Sequence, residues 1–128
     1  MLGTYFRYQV YNGTGVTVTV TIDEIRWKFA SDGSLTFSAE QTPISASAIS
    51  TVSYGNSSGI NNSTDKYIGA DLTVLFDVAS SATGTVTVFL QRSTDSGTTW
   101  PSNGQGEVVG SYYFSASSTD VTKNFSVG

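Results

Sequence analysis

The sequence predicts an all-β domain: one antiparallel β-sandwich over residues 1–128, jelly-roll-like, with about eight strands. Three observations carry that expectation. Apolar residues alternate with Ser, Thr and other polar residues along run after run, the period of a half-buried strand. Turn-forming clusters of Asn, Gly, Asp and Ser separate these runs at short spacing, and no helical period occurs. The composition suits strands, with seven Tyr, seven Phe and only 12% charged residues.

Residues 5–11 place Phe6, Tyr8 and Val10 on one face and Tyr5, Arg7, Gln9 and Tyr11 on the other. With aromatics on both faces, one face enters the core and the other stays wet or meets a neighbouring subunit. Tyr5, Phe6, Tyr8 and Tyr11, with Tyr112 and Tyr113, are therefore candidate interface residues. Asn12 and Gly13 mark a turn. Val16, Val18, Val20 and Ile22 then face away from Thr17, Thr19 and Thr21. Ile25, Trp27 and Phe29 fall on the opposite parity, which predicts a β-bulge or break at Asp23 and Glu24. Asp32 and Gly33 form a turn before a short strand at 35–37.

Residues 38–53 show weak periodicity, and Pro43 argues for an edge strand or an irregular connection. Residues 53–65 are rich in Ser, Gly and Asn and read as a long polar loop. Leu72, Val74, Phe76 and Val78 share a face opposite Asp71, Thr73, Leu75 and Asp77. After a turn at 80–84, Val86, Val88 and Leu90 continue that parity. A second loop spans 98–106. Val108, Gly110, Tyr112 and Phe114 then alternate with Val109, Ser111, Tyr113 and Ser115. In the last strand, Val121, Phe125 and Val127 share their face with Lys123.

The totals narrow the function. The net charge is −4 with no run of Lys or Arg, so the electrostatic footprint of a nucleic-acid partner is missing. No apolar stretch approaches the roughly 20 residues of a membrane-spanning helix. The first residues run straight into strand-like sequence, and no signal peptide is expected. Cysteine and histidine are absent, which removes disulfides, thiolate zinc sites and Ser–His chemistry. Five Asn-x-Ser/Thr matches, at Asn12, Asn56, Asn61, Asn62 and Asn124, read as by-products of composition.

Four candidate sites remain. Ser93, Asp95, Gly97, Thr99 and Trp100 complete an Asp-box pattern, whose physical content is a hairpin turn. Sialidase-like propellers use several copies and an arginine cluster; here there is one copy, and Arg7, Arg26 and Arg92 lie on separate strands. The box therefore reads as a structural turn. Asp23 and Glu24 are one half of a conceivable glycosidase pair, with Asp71, Asp77, Asp95 or Glu107 as the other, but neighbouring strand residues point oppositely. Asn56, Asn61, Asn62 and Asp65 offer oxygens to calcium without the spacing of a known loop. Trp27, Trp100, Tyr54 and Tyr67 could stack on sugars, although core or interface roles are commoner for aromatics. No catalytic residue, metal or cofactor is expected.

Four short segments carry a resemblance: Ile-Asn-Asn-Ser-Thr at 60–64, Ala-Asp-Leu at 70–72, Gly-Thr-Val-Thr-Val-Phe-Leu at 84–90 and Ser-Thr-Asp-Ser-Gly-Thr-Thr-Trp-Pro at 93–101. Together they resemble a recurring module in small virion proteins of tailed bacteriophages, over about a third of the chain. The resemblance implies a β-sandwich structural protein with no catalytic residues, located in the virion and assembled in the bacterial host cytoplasm. It implies a capsid decoration (cement) protein, with a homotrimer favoured, and the major capsid protein or a tail protein as partner. A tail-located module that binds a receptor or glycan is the alternative.

Overall fold

The computed structural model describes residues 1–128 as ten antiparallel strands in two packed sheets. They are β1 (Tyr5–Asn12), β2 (Val18–Phe29), β3 (Leu35–Phe37), β4 (Gln41–Ile49), β5 (Ser53–Asn56), β6 (Ile60–Asn61), β7 (Gly69–Val78), β8 (Ala82–Ser93), β9 (Glu107–Ser117) and β10 (Val121–Val127). Sheet A has the order β5-β1-β8-β9, with β6 also on β1. Sheet B has the order β10-β7-β2-β3, with β4 also on β2.

β3 and β4 lie end to end along one edge of β2, and β5 and β6 lie end to end along one edge of β1. Each pair is one interrupted edge strand, so the ten segments fill eight strand positions, four per sheet. The chain passes between sheets after β1, β4, β6, β7 and β9, and doubles back within a sheet only at β2–β3 and β8–β9. This interleaving is the jelly-roll-like sandwich that the sequence predicts.

The alternation puts one face of each sheet inward. Phe6, Tyr8 and Val10 of β1 and Val86, Val88 and Leu90 of β8 meet Val18, Val20 and Ile22 of β2 and Leu72, Val74 and Phe76 of β7 in one core. Phe6 and Tyr8, expected among interface residues, are fully buried here and belong to the core instead. Tyr8 ties the sheets together, because its hydroxyl donates to Glu24 Oε2 across the core. Glu24 is 1% exposed, and its other oxygen pairs with Arg26 Nη2 at 2.7 Å. Burial first, and then the Glu24 charge, push the Tyr8 hydroxyl well above its ordinary pKa.

That buried pair corrects the expectation at Asp23 and Glu24. β2 runs in unbroken register against β7 from Val18 to Trp27, with no break and no bulge on that side. The parity change has another cause: the inward face turns polar at Glu24, while Ile25 and Phe29 are left exposed outside. The register shifts occur against β4, where Val20 pairs with Ser47, Ile22 with Ile44 and Glu24 with Gln41. Each step takes two residues of β2 and three of β4, so the extra residues lie in β4, where Ala46 has a φ of +46°. This strand is an edge and contains Pro43, which only an edge tolerates.

Within residues 53–65, β5 and β6 are edge strand rather than free loop. β1 has an edge of backbone groups that need partners, and a polar segment can supply them through its main chain. At the interruption between β5 and β6, Ser57 N donates to Tyr8 O, and Tyr8 N donates to Ser57 Oγ at 2.9 Å. The face grouping in β9 also changes. Val88 pairs with Gly110 and Phe89 with Val108, so Val109 is the extra residue of a bulge and Val108 turns outward.

Candidate interaction surface

The outer faces of the two sheets differ in what covers them. On sheet A, β1 and β8 point Gln9 and Gln91 outward, yet both are fully buried. The cover is the β8–β9 connection, residues 94–106, which folds down over the sheet. Gln91 Nε2 donates to the carbonyls of Pro101, Ser102 and Gln105 at 3.2, 3.1 and 2.9 Å. Gln9 Oε1 accepts from Gly104 N at 2.9 Å, and Gln9 Nε2 donates to Asn56 Oδ1 and Asn103 Oδ1. Gly104 has a φ of +75°, and a Cβ there would come within 2.9 Å of the Tyr54 hydroxyl. Tyr54 in turn lies against Tyr11, with ring centroids 4.7 Å apart.

The Asp-box residues form the first half of this connection. Ser93 Oγ donates to Asp95 Oδ1 at 2.7 Å and accepts from Gly97 N at 2.9 Å. Thr99 N donates to Asp95 Oδ1 at 2.8 Å, and the Thr99 hydroxyl donates to Asp95 Oδ2. Bonds from Thr99, then from Ser93, lower the Asp95 carboxyl to about 2. Gly97 has a φ of +84°, as a tight turn requires. Trp100 then folds back: the Arg7 guanidinium sits 4.8 Å from its ring centroid, and its ring edge is 2.8 Å from where a Cβ on Gly59 would be.

Sheet B has no such cover. Ile25, Trp27 and Phe29 of β2 lie beside Phe37 and Leu35 of β3, in the register Trp27 to Phe37 and Phe29 to Leu35. Phe29 and Phe37 are each 59% exposed and Leu35 is 49% exposed. Trp27 lies flat over Gly69, where a Cβ would come within 2.2 Å of the indole. Trp27, Phe29, Leu35 and Phe37, with Asp71 and Ser126, line a shallow groove of about 330 Å³. Alternation marks Ile25, Trp27 and Phe29 as one face, but only the buried Glu24–Tyr8 contact shows that this face is the outer one. The exposure of Leu35 and Phe37 on the neighbouring edge has no signal in the sequence.

The other candidates do not converge. Tyr5, Tyr11 and Tyr112 are partly buried and Tyr113 is 60% exposed, so the six aromatics of the expected interface form no single surface. Tyr112 packs between Phe76 and Phe114, with the Lys123 ammonium 5.2 Å from its ring centroid. Asp23 accepts from Thr42 on the outer side while Glu24 is buried, so the two carboxylates face apart. Glu107 pairs with Arg92 at 2.8 Å. Asp77 stands beside Asp120, whose charge raises its pKa, on open surface. Asn56 and Asn61 accept from Gln9 and Ser63, and Asn62 is buried in bonds to Gly3 and Tyr67. Trp27 is on sheet B, whereas Trp100 and Tyr54 lie over sheet A, so no common sugar platform exists. No known protein family, curated protein or solved structure matches the chain.

Proposed function

We propose that this chain is a non-catalytic structural protein of a bacteriophage particle: a capsid decoration protein that binds shell subunits through the outer face of sheet B. The observation that carries the reading is the exposed apolar cluster of Phe29, Leu35 and Phe37 beside the half-buried Trp27. A domain that covers one outer face with its own loop and leaves large aromatics bare on the other is built for association. The phage-module resemblance over residues 60–104 supplies the kind of assembly. Docking by this face uses burial of apolar surface to hold neighbouring shell subunits together, and a homotrimer is the favoured form.

Fractionation of purified virions into heads and tails tests this reading. The chain is expected in the head fraction, and Phe29→Ser with Phe37→Ser is expected to abolish its rebinding to stripped heads. Recovery only from tails, or from no particle, overturns it. A second reading rests on the groove beside Trp27, where Asp71 and Ser126 flank an aromatic floor, the chemistry of a shallow glycan site. It expects saturable quenching of tryptophan fluorescence by host-surface oligosaccharides, lost in Trp27→Ala.

A further inference from the structure

We propose that the free edge of β3 docks an extended segment of another protein chain that has apolar side chains at alternate positions and a net positive charge. The inference rests on sheet B's outer face being the assembly face, and it names what binds there.

The hydrogen-bond alternation identifies the edge. Ala30 N donates to Ser34 O and Ser38 N donates to Arg26 O, both at 2.8 Å. The pair between them, Lys28 and Thr36, is therefore the bonded pair of the antiparallel ladder, and Thr36 spends its main-chain groups on β2. The N–H and C=O of Leu35 and Phe37 point the other way, along the open side of the sheet. These same two residues carry the exposed apolar side chains. One strand thus offers main-chain bonds and side-chain contacts to the same visitor, the combination used in β-strand addition.

Three of the other edge strands carry devices that blunt pairing. β4 has Pro43 and two register shifts, β9 has two register shifts and Ala116 at a φ of +53°, and β10 carries Lys123. β3 is itself short, but it has no proline and no register shift, and both residues that face the open side are apolar.

Area and charge select the occupant. At ~200 Å² for each large side chain, the exposures of Phe29, Leu35 and Phe37 leave about 300 Å² of apolar surface. A two-fold contact of this patch with a second copy would bury about 600 Å² in total, roughly half of what a stable specific interface needs. A single visiting strand matches the patch in size and brings main-chain bonds, and unlike a second copy it need not carry the same net charge of −4. The chain's net charge is −4, which favours a visitor of net positive charge over a second copy of the chain.

The test uses a synthetic peptide with the sequence of residues 24–30, Glu-Ile-Arg-Trp-Lys-Phe-Ala, because β2 already pairs with β3 through this alternation. Titrated into the purified full chain, it is expected to bind saturably and to slow hydrogen exchange at the Leu35 and Phe37 amides. Leu35→Pro removes an outward N–H without touching the β2 ladder and is expected to weaken binding at least tenfold at an unchanged melting temperature. If that variant fails to fold, Phe37→Ser keeps the backbone intact and is expected to weaken binding by a similar factor. Unaltered exchange at both amides, or full-strength binding by the folded variants, overturns the proposal. So does a dimer of the chain alone that Leu35→Pro dissolves, since the occupant is then a second copy. Peptide binding by a chain absent from every particle would sink the virion reading and leave this one standing; normal particle entry by a folded Leu35→Pro chain would do the reverse.

Discussion

The two outer faces of the sandwich follow the same strand alternation and reach opposite ends. Sheet A points glutamines outward and buries them under its own β8–β9 connection. Sheet B points Phe29, Leu35 and Phe37 outward and leaves them bare. A buried polar side chain on an outer face signals a cover supplied by the chain, because an amide leaves water only for equivalent hydrogen bonds. A cluster of bare aromatics signals a cover that comes from elsewhere. The difference lies in loop length: β8 and β9 are joined by residues 94–106, while β2 and β3 are joined by residues 30–34, too few to fold back.

The largest effect is expected where the two sheets are tied. Glu24→Ala leaves Arg26 and the Tyr8 hydroxyl without their buried partner and should cost about 3–5 kcal/mol in denaturant unfolding. A smaller loss would mean that the faces are held together by apolar packing alone. Next, Gln91→Ala removes the buried amide that clasps the sheet A cover and its bonds to the Pro101, Ser102 and Gln105 carbonyls, for a loss of about 1–3 kcal/mol. Proteolysis within residues 94–106 should accelerate with it; an unchanged digestion pattern would show that the loop holds itself down.

The Asp box tests the cover's first half through pH. Its bonds hold Asp95 at about 2, below the roughly 3.9 of an unfolded aspartate, so its contribution is full above pH ~4 and fades as pH falls through 2. The stability gap between the parent and Asp95→Asn should close over that window, and a gap independent of pH would assign the effect to lost geometry rather than charge. The smallest effect on folding is expected on sheet B. Phe29→Ser with Phe37→Ser should change stability by less than about 0.5 kcal/mol per site while removing association. A large loss of stability there would make the patch part of the fold and erase the contrast between the faces.

Much of the sandwich was legible because alternation depends on local sequence. Leu72, Val74, Phe76 and Val78 read as one buried face and are one. Two kinds of residue misled. Glu24 looked like a strand end because a charged side chain seldom faces a core; Arg26 is two residues along the same strand, but its buried partner Tyr8 lies on β1 in the other sheet, which local pattern cannot bring to it. Residues 53–61 looked like loop because their side chains are polar, although their main chain completes the edge of β1. The turn at Ser93, Asp95 and Gly97 was legible from its residue types. Its continuation over Gln9 was not, because that contact spans most of the chain.

Sheet A closes its own outer face, and sheet B leaves Phe29, Leu35 and Phe37 bare. Hydroxyl-radical footprinting of the free chain, and of the same chain mixed with the bacteriophage particle proposed to hold it, tests this most directly. Phe29, Leu35 and Phe37 should be strongly labelled in the free chain and protected in the particle, with Gln9, Gln91 and the segment 101–105 unchanged between the two. Equal labelling of the sheet B residues in both states, or protection that appears on sheet A instead, would contradict the account.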